Sequence, residues 1–186
     1  MDALDLLLTR DSALKLEAPG PADAELDQLF AMAVRTPDHG RLRPWRFVVI
    51  PSEQRGRFGE VMAESMQRRE PGASAEALQR ERAKAMRAPV IVVVAGHVHK
   101  GHKIPAIEQL ASAAAAAQTI MIAAPALGYG AMWKTGAPAY DSGVKAALGL
   151  DPDDEIVGFM YIGTRAGGSS PAARPAARDF VTVWGG

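Results

Sequence analysis

The sequence contains no cysteine. This absence excludes disulfide bonds, thiolate metal sites and a cysteine nucleophile. The chain also has no excess of charge of either sign, because 21 Lys and Arg residues balance 21 Asp and Glu residues. A balanced chain has no overall electrostatic field that draws it to nucleic acid or to a membrane surface, so neither is an expected partner.

The amino terminus lacks the basic and then apolar segment of a secretion signal. The longest apolar stretch, residues 107–127, is rich in alanine and closely followed by globular sequence, so it is not predicted to span a membrane. These two observations favour a cytoplasmic protein. The chain has 186 residues, of which 48% are apolar, and we expect a single domain over 1–186 with a buried core.

Residues 107–127 are predicted to form the central helix of the fold. Almost nothing after Glu108 is charged, and alanine is the best helix former. A helix that is apolar on nearly every face has no side for water, so we expect it to pack against both a sheet and a partner. Pro125 is predicted to end or kink its last turn.

Three runs rich in β-branched and aromatic residues predict strands over Trp45–Ile50, 90–95 and 156–163. A fourth strand is predicted over 180–184, in a loose carboxy-terminal arm over 167–186 whose first part is rich in Gly, Ser, Pro and Ala. A terminal strand on such a tether often pairs with another protomer. Shorter helices are predicted at 2–9, 26–36, 52–66, 74–87 and 143–148.

The segment 128–136 is predicted to be a flexible, glycine-punctuated loop that carries Trp133, Lys134 and Thr135, and this set suggests a binding site. It is not a P-loop, because a P-loop has glycine where Trp133 stands. It is not a dinucleotide fingerprint, because it follows a helix instead of a strand. The chain also lacks the Gly-x-Ser-x-Gly elbow of a serine hydrolase.

His97, His99 and His102 are compatible with an all-histidine metal site at a strand end. No carboxylate lies nearby in sequence before Glu108, and a solvated polar loop explains the three residues better than a metal site does. We therefore predict no metal site.

Scattered cationic and hydroxyl residues suggest an anion site. Arg10 and Ser12, just after the first helix, have the guanidinium fork and hydroxyl that bind phosphate. Any single arginine is more often merely exposed. The combination is informative, and its other members are Arg35, His39, Arg43, Lys134 and Thr135.

With these motifs in order, the sequence resembles the FMN-dependent nitroreductase family, most closely its short subgroup. The resemblance runs over nearly the whole chain, through segments 1–12, 35–39, 44–47, 102–109, 128–136 and 156–164. It implies an α+β fold, a three-layer α/β/α sandwich with a mixed, mostly antiparallel sheet flanked by helices. It also implies a homodimer in which the subunits exchange their carboxy-terminal segments.

The resemblance implies a tightly bound FMN. Arg10 and Ser12 match an Arg-Arg-Ser element at the phosphate and ribityl end, Arg35 and His39 reach the flavin from the neighbouring protomer, and the Trp133 loop lies along the ring, with backbone N–H groups near flavin N5. The implied cofactor-binding residues are Arg10, Asp11, Ser12, Arg35, His39, Arg43, Trp133, Lys134, Thr135 and Gly136.

Two departures from the family pattern stand out. Asp11 replaces the second arginine of Arg-Arg-Ser, which removes a cation near the phosphate and adds an anion. Longer members have Ser-Ser-x-Asn-x-Gln-Pro-Trp where this chain has residues 38–45, so Arg43 stands in for an amide. A cation there favours the anionic reduced flavin.

The implied activity is an NAD(P)H-dependent oxidoreductase with ping-pong hydride transfer. The transient nicotinamide delivers hydride to flavin N5, and the flavin then reduces a nitroaromatic, a quinone or a similar small acceptor. No catalytic side chain is predicted, because the cofactor supplies the chemistry. The alternatives are other flavin chemistry on the same fold, such as dehalogenation or dehydrogenation, and a flavin-binding dimeric interaction protein without turnover.

Overall fold

The structure is a computed structural model that describes residues 2–167 and 174–185. The described ranges contain six α-helices, and 3₁₀ turns lie between several of them. The helices are α1 (Ala3–Thr9), α2 (Asp23–Ala33), α3 (Arg55–Arg69), α4 (Ala75–Lys84), α5 (Ala106–Ala126) and α6 (Ser142–Ala147).

Five strands form one sheet, and every strand pair in the described ranges is antiparallel. The four main strands lie in the order β4, β5, β3, β2, while the short β1 pairs with the end of β5. The strands predicted over Trp45–Ile50, 90–95 and 156–163 are confirmed, with longer bounds for β3 and β5. The strands are β1 (Leu16–Glu17), β2 (Trp45–Ile50), β3 (Val90–His97), β4 (Gly130–Lys134) and β5 (Asp154–Arg165).

The sheet is covered by helices on both faces. The side chains of β3 alternate: Ile91 and Val93 pack in a core with residues of α3 and α6, whereas Val92 and Val94 pack in a second core with residues of α2 and α5. Because a strand that is covered on both faces has no polar side, the continuous apolar run of β3 follows from this position. The result is the predicted α+β sandwich of three layers.

Helix α5 occupies the centre of one helical layer, as predicted. It ends at Ala126, one residue after Pro125, which agrees with the predicted effect of that proline. It is the one helix in the described ranges that is long and apolar enough to cross a membrane, yet 44% of that window is buried in the fold. It packs against α2, β3 and β5, so we describe it as a core helix.

The predicted loop over 128–136 is wrong for residues 130–134, which form strand β4. Met132 and Trp133 pair with Tyr161 and Met160 of β5. Gly130 does not mark flexibility. A Cβ atom there would lie 2.7 Å from the Leu16 side chain and 3.1 Å from the Ala13 Cβ, so this glycine lets those side chains pack directly on the β4 backbone.

The prediction of a strand over 180–184 is wrong for the single chain. The structure has a 3₁₀ turn over Ala177–Phe180 and then extended residues without a strand partner in the described ranges. Phe180 is 76% and Trp184 98% exposed. Residues 168–173 and 186 of the predicted arm lie outside the described residues.

Serine side chains act differently before α3 and α4. The Ser52 hydroxyl donates to the carbonyl of Pro89, and α3 begins at Arg55 after a 3₁₀ turn, later than the predicted start at 52. Ser74 caps α4 by accepting from the backbone N–H of Ala77. Most side chains of α4 are exposed or half-buried, but Glu81 is only 5% exposed.

Candidate functional site

The segment that follows α1 lies beside strand β4. The backbone N–H of Ala13 donates to the carbonyl of Ala131 at 2.9 Å, and Ala13 is buried while Ser12 is exposed. The predicted phosphate-binding segment, Arg10 to Ser12, is therefore placed against the strand that carries Lys134. Both parts of the predicted site therefore lie along one strand, with Ala13 beside Ala131 and Lys134 three residues further along.

Asp11 is held by an arginine that the sequence analysis did not identify. Arg165, at the end of β5, binds both carboxylate oxygens of Asp11, with a distance of 2.9 Å between Nη1 and Oδ2. The hydrogen bond that Arg165 donates to Asp11 raises the pKa of Arg165. Arg165 thus compensates the anion that Asp11 adds, and only the register of β1 against β5, with Leu16 opposite Arg165, reveals this proximity.

Arg10 has no such carboxylate partner among the described residues. Its guanidinium donates to the carbonyl of Asp11 at 3.1 Å, and its own carbonyl accepts from Arg174 at 2.5 Å. The Arg10 guanidinium is therefore not neutralised by an ion pair in the described chain. Its positive charge is available to an anionic ligand.

Trp133 and Lys134 lie on opposite faces of the sheet because strand residues alternate. The Trp133 ring packs on the α5 face, and its Nε1 donates to the carbonyl of Val157 at 3.2 Å. Lys134 lies on the other face and lines a cavity with Thr135 and Gly136. Within one chain, the Trp133 ring therefore lies on the opposite face of the sheet from the cavity that the next residues line.

Two adjoining cavities lie on the Lys134 face, with volumes of about 290 and about 390 Å³. Arg87 and Lys134 line both of them. The charged residues of the two linings are five cations and two carboxylates, so the excess is positive. They are Lys15, Arg69, Lys84, Arg87, Lys134, Glu70 and Glu81.

Glu81, which lines the smaller cavity, has a buried acceptor oxygen without a donor. Glu81 Oε2 accepts from Lys84, but Oε1 has no hydrogen-bond partner in the described part of the chain. Tyr161 lines the same cavity, and burial raises its pKa to about 12. Its phenol therefore stays neutral at physiological pH and keeps a proton to donate.

Because Tyr161 is buried, the free energy of unfolding is expected to fall as the pH rises in the alkaline range. Its pKa rises from 10.0 to about 12, with burial as the main cause, a further rise from Glu81 and an opposing effect from Arg87. Above pH 10 the unfolded chain loses the phenol proton first, so stability falls between pH 10 and 12. At pH 11 we expect a loss of about 1.4 kcal/mol from this group.

Urea unfolding of the native chain and of Tyr161→Phe at pH 9 and pH 11 measures this contribution. The native chain is expected to lose more stability between the two pH values than the variant does. Equal losses would contradict the raised pKa.

The predicted residues Arg35, His39 and Arg43 lie at another place, near the start of α5. His39 Nδ1 pairs with Glu108, and the Asp38 carboxylate accepts from the backbone N–H of Arg43 at 2.8 Å. Arg35 and Arg43 are exposed. None of the three predicted residues lines either cavity on the Lys134 face. A single chain therefore contains two separate halves of the predicted site.

The three histidines do not come together as an all-histidine set. His97 Nδ1 lies 2.6 Å from Asp154 and 3.7 Å from Asp151, whereas the ring of His102 accepts from the backbone N–H of Ile104. The assumption that no carboxylate lies nearby is wrong in the folded chain, because Asp151, just before β5, and Asp154, the first residue of β5, lie beside His97. The ligand atoms of His97, Asp151 and Asp154 lie close enough together to hold a metal ion. The hydrogen bond between His97 and Asp154 explains this proximity equally well.

The sequence model of the Nitroreductase family matches residues 8–164. YdjA of Escherichia coli K12, which carries the provisional name of an NAD(P)H nitroreductase, is 37% identical over 185 residues, covering 99% of this chain and 100% of its own length. The chain therefore belongs to the nitroreductase family, which confirms the resemblance.

Two solved structures share the fold. A nitroreductase-like family protein of Bacillus cereus has a TM-score of 0.85 at 21% identity, covering 100% of this chain and 97% of that one. A provisionally named nitroreductase of Desulfovibrio desulfuricans in complex with FMN has a TM-score of 0.75 at 21% identity, covering 97% and 95%. The nitroreductase fold of this chain is thereby established.

Proposed function

We propose that the protein is an FMN-dependent NAD(P)H oxidoreductase that reduces a nitroaromatic, a quinone or a similar small acceptor. When bound, FMN accepts a hydride from NAD(P)H and passes the electrons on to the acceptor. The observation that carries the proposal is the cationic pair of cavities beside Lys134, which contains a buried carboxylate oxygen without a donor. FMN has both an anionic end and hydrogen-bond donors, so the residues fit this cofactor.

The phosphate end of FMN is assigned to Arg10, Ser12 and the cations of the larger cavity. Arg10 retains an unneutralised guanidinium, and Lys15 and Arg87 line the adjoining cavity. Charge-assisted hydrogen bonds of this kind bind phosphate strongly. These residues hold the cofactor and do not react.

The ring end is assigned to the smaller cavity. Lys84 and Lys134 place positive charge there, which stabilises the negative charge that the reduced flavin carries. Gly136 has φ 104° and ψ −174°, a conformation open essentially to glycine alone, so the backbone can approach the ring closely. Met62 and Phe159 supply apolar walls that exclude water.

The second half of the site is proposed to come from a second copy of the chain. Arg35 and His39 would then complete the flavin site of the neighbouring protomer, consistent with their separation from Lys134 within one chain. Apolar residues that a partner would cover are exposed on α1, on α5 and in the carboxy-terminal segment. They are Leu4, Leu7, Leu8, Ile107, Phe180, Val181, Val183 and Trp184.

The exchanged carboxy-terminal segment is proposed to pair with β2 of the neighbouring protomer. Strand β2 pairs with β3 on one side, and its other edge has no strand in the described ranges. An open edge offers backbone donors and acceptors to an incoming strand. Residues 180–184 are all β-branched or aromatic, a composition that favours a strand in the dimer.

Absorbance and turnover test the proposal. The purified protein, loaded with FMN, is expected to show flavin absorbance that NADH or NADPH bleaches under anaerobic conditions, and a nitroaromatic or a quinone is expected to restore it. A protein that retains no flavin contradicts the cofactor assignment. Retained flavin that neither nicotinamide bleaches contradicts the reductase assignment.

The ion pair between Asp11 and Arg165 is expected to control the affinity of the protein for the FMN phosphate. Arg165→Met leaves the Asp11 carboxylate uncompensated beside the proposed phosphate, so FMN affinity is expected to fall about tenfold, or about 1.4 kcal/mol. A second change, Asp11→Asn, removes the repulsion and is expected to recover most of the loss. Fluorescence titration of the apoprotein with FMN measures both.

Arg80→Met serves as the matched control, because Arg80 is exposed on α4 and lines neither cavity of the site. We expect native affinity from this variant. If the double variant binds no better than Arg165→Met, charge compensation is not the role of Arg165.

A further inference from the structure

Glu81 is a charged residue of the site, and its burial is unexpected. It belongs to α4, a helix in which most side chains are exposed or half-buried, yet Glu81 is only 5% exposed. Its side chain lines the smaller cavity together with the Lys134 to Gly136 turn. Carboxylates are almost never buried to this extent without full pairing.

The pairing of Glu81 is incomplete. Oε2 accepts from Lys84, while Oε1 has no donor among the described residues. Arg69, Arg87 and Tyr161 line the same cavity without reaching it. A buried acceptor that lacks a donor costs about 1–3 kcal/mol, so a ligand that brings a donor into the cavity recovers this energy.

The chemistry of the missing donor selects one part of the proposed cofactor. A carboxylate repels phosphate, so Glu81 does not face the phosphate end. The oxidised flavin has N–H at N3 and hydroxyl groups along its ribityl chain, and these are the donors that it can offer. The buried carboxylate therefore marks the ring and ribityl side of the site.

We propose that Glu81 Oε1 accepts a hydrogen bond from N3–H or a ribityl hydroxyl of bound FMN, and that its charge makes this FMN harder to reduce. The inference rests on the proposed function. Reduction adds negative charge to the flavin, and a buried carboxylate opposes that charge, while Lys84 partly offsets it. Glu81 is thus a residue that both binds FMN and sets its midpoint potential.

Two substitutions separate the hydrogen bond from the charge. Glu81→Gln keeps an acceptor oxygen and removes the charge, so reduced FMN is expected to bind about tenfold more tightly relative to oxidised FMN. This ratio corresponds to a potential about 30 mV more positive for a two-electron couple. Glu81→Leu removes the acceptor and is expected to weaken the binding of oxidised FMN about tenfold.

Glu64→Gln is the matched control, because Glu64 is exposed on α3 and lines neither cavity of the site. The affinity is measured by titrating each apoprotein with FMN, and the potential by dye-coupled reduction of each loaded protein. Thermal unfolding of the apoproteins checks that the variants fold. The control is expected to match the native chain in both measurements.

The inference is overturned if Glu81→Leu retains native FMN affinity, or if the potential of Glu81→Gln equals that of the control. If Glu81→Leu does not fold, the potential of Glu81→Gln decides alone. A native chain that binds no FMN refutes the proposed function as a whole. That result differs from native binding with unaltered variants, which refutes the role of Glu81 only.

Discussion

Arg10→Ala is expected to lower the affinity of the protein for FMN by about ten- to a hundredfold. The guanidinium of Arg10 is held by one hydrogen bond to the carbonyl of Asp11. A charge-assisted hydrogen bond to phosphate contributes about 1.5–3 kcal/mol, which corresponds to this range of affinity. Ser12→Ala removes a neutral hydroxyl and is expected to have a smaller effect, of about threefold to tenfold.

Fluorescence titration of the apoproteins with FMN measures both changes. Arg80→Ala is the control, because Arg80 is exposed on α4 and lines neither cavity of the site. We expect native affinity from it. Native affinity in both Arg10→Ala and Ser12→Ala would count against the phosphate assignment.

Gly158→Ala is expected to destabilise the fold by about 3 kcal/mol, the largest stability effect that we derive. A Cβ atom at Gly158 would lie 2.1 Å from Trp133 Nε1 and 2.6 Å from its Cδ1. The indole cannot bend away as a flexible chain does, so it must leave its position and lose the hydrogen bond to Val157. Urea unfolding at constant pH measures the change.

Gly56→Ala is the matched control for this glycine. Gly56 lies in the first turn of α3, and a Cβ atom there meets nothing within 4 Å. Alanine is the better helix former by up to about 1 kcal/mol, so we expect unchanged or slightly increased stability. An equal loss of stability in both variants would show that the contact with Trp133 is not the cause.

The core strands and the central helix could be predicted because local sequence and tertiary position agree there. The run of β3 is apolar on both faces, which only a covered strand requires, and α5 is apolar on nearly every face up to Pro125. Strand β4 was not predicted from the sequence because the glycines in it and on either side of it are typical of a loop. Gly130 is needed for the approach of Leu16 and Ala13, which is a tertiary contact that no local pattern contains.

The candidate site was predicted only in part for the same reason. Arg10, Ser12 and Lys134 belong to recognisable motifs, and the structure places them around one strand. Arg165 and Glu81 have no motif, since their roles arise from the register of β5 and from the packing of α4 on α3. The strand predicted over 180–184 does not form in the described single chain, and we propose that its partner strand lies in a second copy.

The most direct test of the shared flavin site is the mixing of two defective proteins, Arg10→Ala and Arg35→Ala. If Arg10 of one protomer and Arg35 of the other serve the same FMN, the mixed dimer contains one intact site and one doubly altered site. After subunit exchange, verified by native mass spectrometry, we expect native-affinity binding of one FMN per mixed dimer. Mixed dimers without any native-affinity site would contradict a flavin site built from two protomers.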